Sequence, residues 1–231
     1  MFTGKNAQMT AIQPNAFQFL KAISDNNNRE WFQANKAAYE AAYENFKEFV
    51  KGVEAELGKS DHLESSKVFR IYRDVRFSKD KSPYKNNFAA GFKRATKLLR
   101  GGYYLHVEPG QTFVGGGFWG PEPQDLKRIR DEFAFDDQTI RKITSDPVFK
   151  TYFGNLEGDE LKTAPKGYSA DLPGIDLIRK KQFVVRRAFT DKEVTSPGFQ
   201  EEVVKTFMAM RPFFDYMSMV LTTDANGEPI A

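Results

Sequence analysis

The stretch "GYYLHVEPGQTFVGGGFW", residues 102–119, places two alternating runs on either side of a short turn. Tyr103 to Glu108 and Thr112 to Trp119 read as strands, rich in aromatic and β-branched residues. Between them, Pro109 and Gly110 suit the central positions of a type II turn. Proline presets the first φ, and glycine accepts the positive second one. Strands joined this closely pair antiparallel. That reading decides the fold class.

Working outward, residues 67–77 also alternate. Phe69, Ile71, Val75 and Phe77 fall on one face, and Arg70, Tyr72, Asp74 and Arg76 on the other. A polar loop through Pro83 leads to a second strand at Phe88, Ala90 and Phe92, and "KQFVVRRAF", residues 181–189, supplies a further strand. Helical patterns flank these strands. Pro14 opens a short helix carrying Phe17, Leu20 and Ile23, and one long helix is expected from Asn28 to the stop at Gly58. Short helices are expected behind caps at Asp125, Asp136 and Asp146. Residues 158–176 read as a loop region, and a helix opened by Ser196 and Pro197 meets a kink or a stop at Pro212. Hairpins rather than alternating βα units indicate an α+β class. The expected fold is one domain, residues 1–231, with an antiparallel sheet of about five strands: hairpins at 67–94 and 103–119, plus 181–189, packed by long amphipathic helices.

Forty per cent apolar residues, with 22 Phe and 9 Tyr among 231, are ample for a packed core. The absence of cysteine excludes disulfides, thiolate catalysis and cysteine-ligated metals. With His62 and His106 the only imidazoles, no metal and no cofactor is expected. No apolar run approaches the roughly 18 residues of a membrane span, so a soluble, cytoplasmic protein without a membrane partner is expected.

The net charge of +3 hides an uneven distribution. Residues 67–100 hold eleven Lys or Arg against Asp74 and Asp80 alone. Such a concentrated field attracts anions. Within it, "KVFRIYRDV" and the later "KQFVVRRAF" share a pattern that sets Arg73 and Arg187 on apolar strand faces. A guanidinium so placed requires a carboxylate, a set of carbonyls or a ligand anion, since an uncompensated one costs several kcal/mol. The loop "SKDKSPYK" adds Lys79 and Lys85, groups that bind phosphates or carboxylates and that also decorate any solvated hairpin. Tyr104, His106 and Glu108 share a face, where His106 has the chemistry for proton transfer and Glu108 for partnering it or an arginine. Gly115, Gly116 and Gly117 either let a ligand or another chain approach closely or mark a bulge.

Familiar sites are missing. "GVEAELGKS", residues 52–60, has five residues between its glycines where a phosphate-binding P-loop has four, and it ends a helix. Neither a G-x-S-x-G elbow nor a dinucleotide G-x-G-x-x-G after a strand occurs.

The segments "NNNREWFQANKAAYE", "RIYRDVRFSKDKSPYK", "GYYLHVEPGQTFVGGGFW" and "LKTAPKGY" together resemble an uncharacterised bacterial and fungal family, domain of unknown function 2461. The resemblance brings no reaction, ligand or catalytic residue with it. It implies that the basic hairpin, the EPG hairpin and the Lys166 loop belong to one unit.

The expectation from all of this is a protein, an enzyme or a binding protein, that recognises a small anionic ligand. Arg73, Arg76, Lys79, Lys85, Lys166 and Arg187 would gather around a phosphate or carboxylate, with His106 and Glu108 catalytic. Two alternatives stand beside it: nucleic-acid binding through residues 67–100, and a protein-interaction module using Gly115 to Trp119.

Overall fold

A computed structural model of the chain describes residues 11–224 and 227–230. Helices α1 (Pro14–Asp25), α2 (Arg29–Ala34) and α3 (Lys36–Leu57) lead into strands β1 (Leu63–Val68), β2 (Phe88–Arg94), β3 (Gly102–Val107) and β4 (Phe113–Phe118). Helices α4 (Pro123–Phe135), α5 (Gln138–Ser145), α6 (Pro147–Phe153) and α7 (Ile175–Ile178) precede β5 (Phe183–Ala188). Then come α8 (Asp191–Val194), α9 (Phe199–Ala209) and α10 (Arg211–Thr222). The strands form one antiparallel sheet in chain order, β1-β2-β3-β4-β5, so the fold is α+β. No described helix is long and apolar enough to cross a membrane.

The chain divides into two compact units. The first comprises Met1–Phe92, Tyr104–Val114 and Ala188–Lys205, and the second Lys93–Tyr103, Gly115–Arg187 and Thr206–Ala231. The basic hairpin and the EPG turn fall in the first unit, and the Lys166 loop in the second.

In the first unit, α1 packs on α3 through their apolar stripes. Phe88, 1 % exposed, anchors this core with ring centroids 5.5 Å from Phe46, 5.7 Å from Tyr43 and 6.3 Å from Phe19. The single helix expected from Asn28 to Leu57 is two helices, interrupted at Asn35. The Asn35 side chain donates to the Trp31 carbonyl at 2.9 Å, the local bonding by which asparagine competes with helical continuation. Asn28 caps α2 by accepting from the Trp31 amide at 2.9 Å. Of the aspartates expected as caps, Asp146 fills the role, accepting from the Val148 amide. Asp125 lies instead in the first turn of α4, and Asp136 one residue before the N-cap of α5, accepting from the Gln138 amide.

The strand expected at 67–77 is regular only to Val68. Pairing continues beyond it through Phe69 N to Ala89 O, Lys85 N to Ile71 O and Arg73 N to Pro83 O, with a bridge between Tyr72 and Tyr84. Ile71 is fully buried, yet Phe77 is 96 % exposed, so the inward face expected to reach Phe77 fails past the middle of the run. Asp74 and Asp80 each accept an amide hydrogen bond two residues ahead, from Arg76 and Ser82, and this turn chemistry breaks the alternation.

In the second unit, Phe133, Phe183, Phe207, Phe213 and Phe214 are buried. The helix beginning near Ser196 stops at Ala209, and Pro212 sits in the first turn of α10, where its missing N–H costs nothing. At Gly117, φ is +131°, and an added Cβ would lie 2.3 Å from the Phe183 carbonyl oxygen. What comes close at Gly117 is therefore the backbone of this chain's own β5 rather than a ligand or another chain.

Candidate anion-binding face

The first unit presents its polar chemistry on the outward side of β3. Leu105 and Val107 are fully buried, so alternation turns Tyr104 and His106 to the opposite face, and Glu108 follows at the strand end. The turn after it is as expected from its residues. Gly110 has φ +75°, and the Gln111 amide donates to the Glu108 carbonyl at 3.0 Å. Asp191, in α8, accepts from the Gly110 amide at 2.7 Å and pins the turn.

A chain of side-chain contacts runs along this face. The Tyr104 hydroxyl lies 3.4 Å from His106 Nδ1, and His106 Nε2 lies 2.7 Å from Glu108 Oε2. Asn86 Nδ2 donates to Glu108 Oε1 at 2.7 Å, and Gln111 Nε2 to the same oxygen at 3.3 Å. The histidine and glutamate side chains are each 14 % exposed. A carboxylate opposite Nε2 places the neutral ring's proton there and leaves Nδ1 as the acceptor for the tyrosine hydroxyl. Burial, and after it the Glu108 charge, holds the Tyr104 hydroxyl above its ordinary pKa, so it stays a donor.

Beside this chain the rings form a row. Phe69 lies 6.2 Å from Tyr104, Tyr104 5.8 Å from Phe113, and Phe113 stacks on His106 at 4.8 Å and 16°. Lys67 and Lys85 each hold an ammonium 5.8 Å from the Phe69 centroid. Lys85 is partly buried and has no carboxylate partner among the described residues. Desolvation first, then the Arg70 and Arg73 charges, pushes its pKa down.

The other expected site residues are differently engaged. Arg73, 30 % exposed, pairs with Asp80. Arg76 is held by Asp74 through Nε at 2.9 Å and Nη2 at 2.6 Å. Lys79 is exposed on the hairpin loop. In the second unit Lys166 is exposed, while Arg187 donates to the buried Thr206 hydroxyl at 3.0 Å and lies 4.9 Å from the Tyr152 ring centroid. Within the first unit, then, Lys85, His106 and Glu108 come together around the aromatic row. Lys67, Phe69 and Asn86, which stand on this face, are not among the site residues expected from the sequence. The spacing of Lys67, Phe69 and Arg70 beside Lys85 in a paired segment was the available signal.

A cavity of about 480 Å³ opens beside Glu108, lined by Lys21, Ser24, Asp25, Asn86, Gln111 and Asp191 among others. Three carboxylates against one ammonium give it the wrong sign for an anion. No group of three or more metal-ligating side chains occurs among the described residues.

No curated protein and no solved structure matches the chain. The family described as "Conserved hypothetical protein (DUF2461)" matches residues 15–216, including β1 to β5 and every residue named on this face. With most of its length covered, the chain belongs to the DUF2461 family.

Proposed function

We propose that this protein recognises an anionic group, a phosphate or a carboxylate, where Lys67 and Lys85 flank Phe69 and Arg70 adds its charge to the field at Lys85, with His106 and Glu108 as the proton-handling pair beside it. Lys85 carries the reading. Its ammonium is partly buried, lies in the field of two guanidiniums, and meets a ring instead of a carboxylate. Holding a cation there is costly without a counter-charge, and a bound anion repays desolvation and like-charge repulsion together. Asp80 and Asp74 already pair with Arg73 and Arg76, and Arg70 shares only the field of Asp74, which leaves Lys67 and Lys85, with Arg70 beside them, to act on a ligand.

Thermal unfolding with inorganic phosphate, and separately with a short dicarboxylate, tests the proposal. The expected result is a rise in Tm with one of the two that is lost in Lys85→Met and retained in Lys166→Met. No shift with either anion, or a shift indifferent to Lys85→Met, overturns it.

Nucleic-acid binding is the second reading. Arg76 lies 6.0 Å from the ring centroid of exposed Phe77, and aromatic side chains beside cations serve single-stranded nucleic acids as stacking platforms. A flat salt dependence of oligonucleotide binding would remove this reading, since phosphate contacts release counterions.

A further inference from the structure

Resting on the anion reading, we infer that the ligand of this face is a free nucleoside phosphate, its phosphate held by Lys67, Arg70 and Lys85 and its base laid on the aromatic row that begins at Phe69.

The row has features that a bare anion does not need. Phe69, Tyr104 and Phe113 follow one another at 6.2 Å and 5.8 Å, and His106 stacks under Phe113 at 4.8 Å. All four side chains are neither buried nor fully exposed, so each keeps a surface open while its neighbours hold it in place. Ordered rings offer stacking area at little entropic cost. Both ammonium groups lie at the Phe69 end of the row. A phosphate captured there leaves the Tyr104 and Phe113 rings about one sugar's length away, where a base attached through ribose would fall. Aromatic stacking of a base is worth about 1–3 kcal/mol and tolerates any base, because each has a π face. Polar edges are present for the sugar and the base in the Tyr104 hydroxyl and the Asn86 amide. The sign is complementary as well: Lys67 and Lys85 face the Phe69 ring, and Arg70 has nearby only Asp74, which Arg76 already holds.

Three ligand classes separate the possibilities by titration calorimetry. Ribose 5-phosphate carries the anion without a base, a panel of AMP, GMP and UMP carries both, and a single-stranded oligonucleotide carries many of each. The expected result is a nucleoside monophosphate binding at least tenfold more tightly than ribose 5-phosphate. Phe113→Leu, at the far end of the row from the two ammonium groups, should abolish that difference, whereas Arg70→Met should weaken both. Equal affinity for ribose 5-phosphate and all three nucleotides overturns the nucleotide inference and leaves anion recognition standing. Failure of every phosphate to bind overturns the nucleotide inference, and the anion reading falls with it when the dicarboxylate also leaves Tm unchanged. Binding of the oligonucleotide alone, with a steep salt dependence, assigns the face to a polymer and overturns the free nucleotide as its occupant. Arg70 is exposed, so its variant tests the charge without disturbing the core.

Discussion

His106 Nε2 lies 2.7 Å from Glu108 Oε2, two residues along the same stretch of chain, with the Asn86 amide on the carboxylate's other oxygen. The glutamate is thereby held on both sides, and it sets which ring nitrogen carries the proton. Nitrogen-15 NMR of the neutral imidazole should show His106 protonated on Nε2. In Glu108→Ala the preference should disappear and both tautomers be populated. Wild-type protein with the proton on Nδ1 contradicts the assignment.

Lys85 should make anion binding dependent on pH in the alkaline range. Its folded pKa lies below the ordinary 10.5, so the folded chain releases this proton before the unfolded chain does. Two consequences have opposite signs. Stability of the free protein gains from this group as pH rises from the folded pKa to 10.5, because over that interval the unfolded state binds more protons. Affinity for an anion falls over the same interval as the ammonium is lost. Titrations with inorganic phosphate at rising pH should weaken below pH 10.5, and in Lys85→Met that part of the pH dependence should be absent.

Arg94 is sealed from solvent in the second unit and donates to Asp215 Oδ1 at 2.6 Å and to the Arg100 carbonyl at 3.2 Å. The two partners are unequal, because Asp215 is half exposed and stays hydrated without the arginine. Asp215→Ala withdraws the carboxylate from a buried guanidinium and should cost about 3 kcal/mol, the low end of the range for breaking a buried pair. Arg94→Met should cost less, since it removes the buried charge itself. Urea unfolding of both variants checks the order; a costlier Arg94→Met would contradict it.

Gly117→Ala should destabilise by about 2–3 kcal/mol. Its φ of +131° is one that residues with a Cβ rarely adopt, and the new methyl would press on the Phe183 carbonyl. Gly120→Ala, which meets nothing within 4 Å, should unfold as the wild type does. The pair of denaturation curves separates close approach from a general effect of glycine.

Much of the fold was legible because it rests on local periodicity and turn chemistry. Pro109 and Gly110 called for a type II turn, and φ at Gly110 with the Gln111 to Glu108 bond shows it. The alternation of residues 103–108 placed Tyr104, His106 and Glu108 together, and they hydrogen-bond in series. Where the reading failed, a local rule lost to a competing local bond. Asn35 split the long helix, and the Asp74 and Asp80 turns exposed Phe77.

By itself, then, the sequence determined an antiparallel α+β chain with a basic segment and a histidine–glutamate pair on one strand face, because side-chain direction along a strand has a period of two. Tertiary structure decided which cations are spent and which remain. Arg73 and Arg76 turn to Asp80 and Asp74, Arg187 to Thr206 and Tyr152, while Lys85 comes to rest on Phe69. Charge counts along a chain carry no record of pairing, since a guanidinium takes whichever acceptor folding brings within reach, and that depends on loop geometry that no repeat in the sequence encodes.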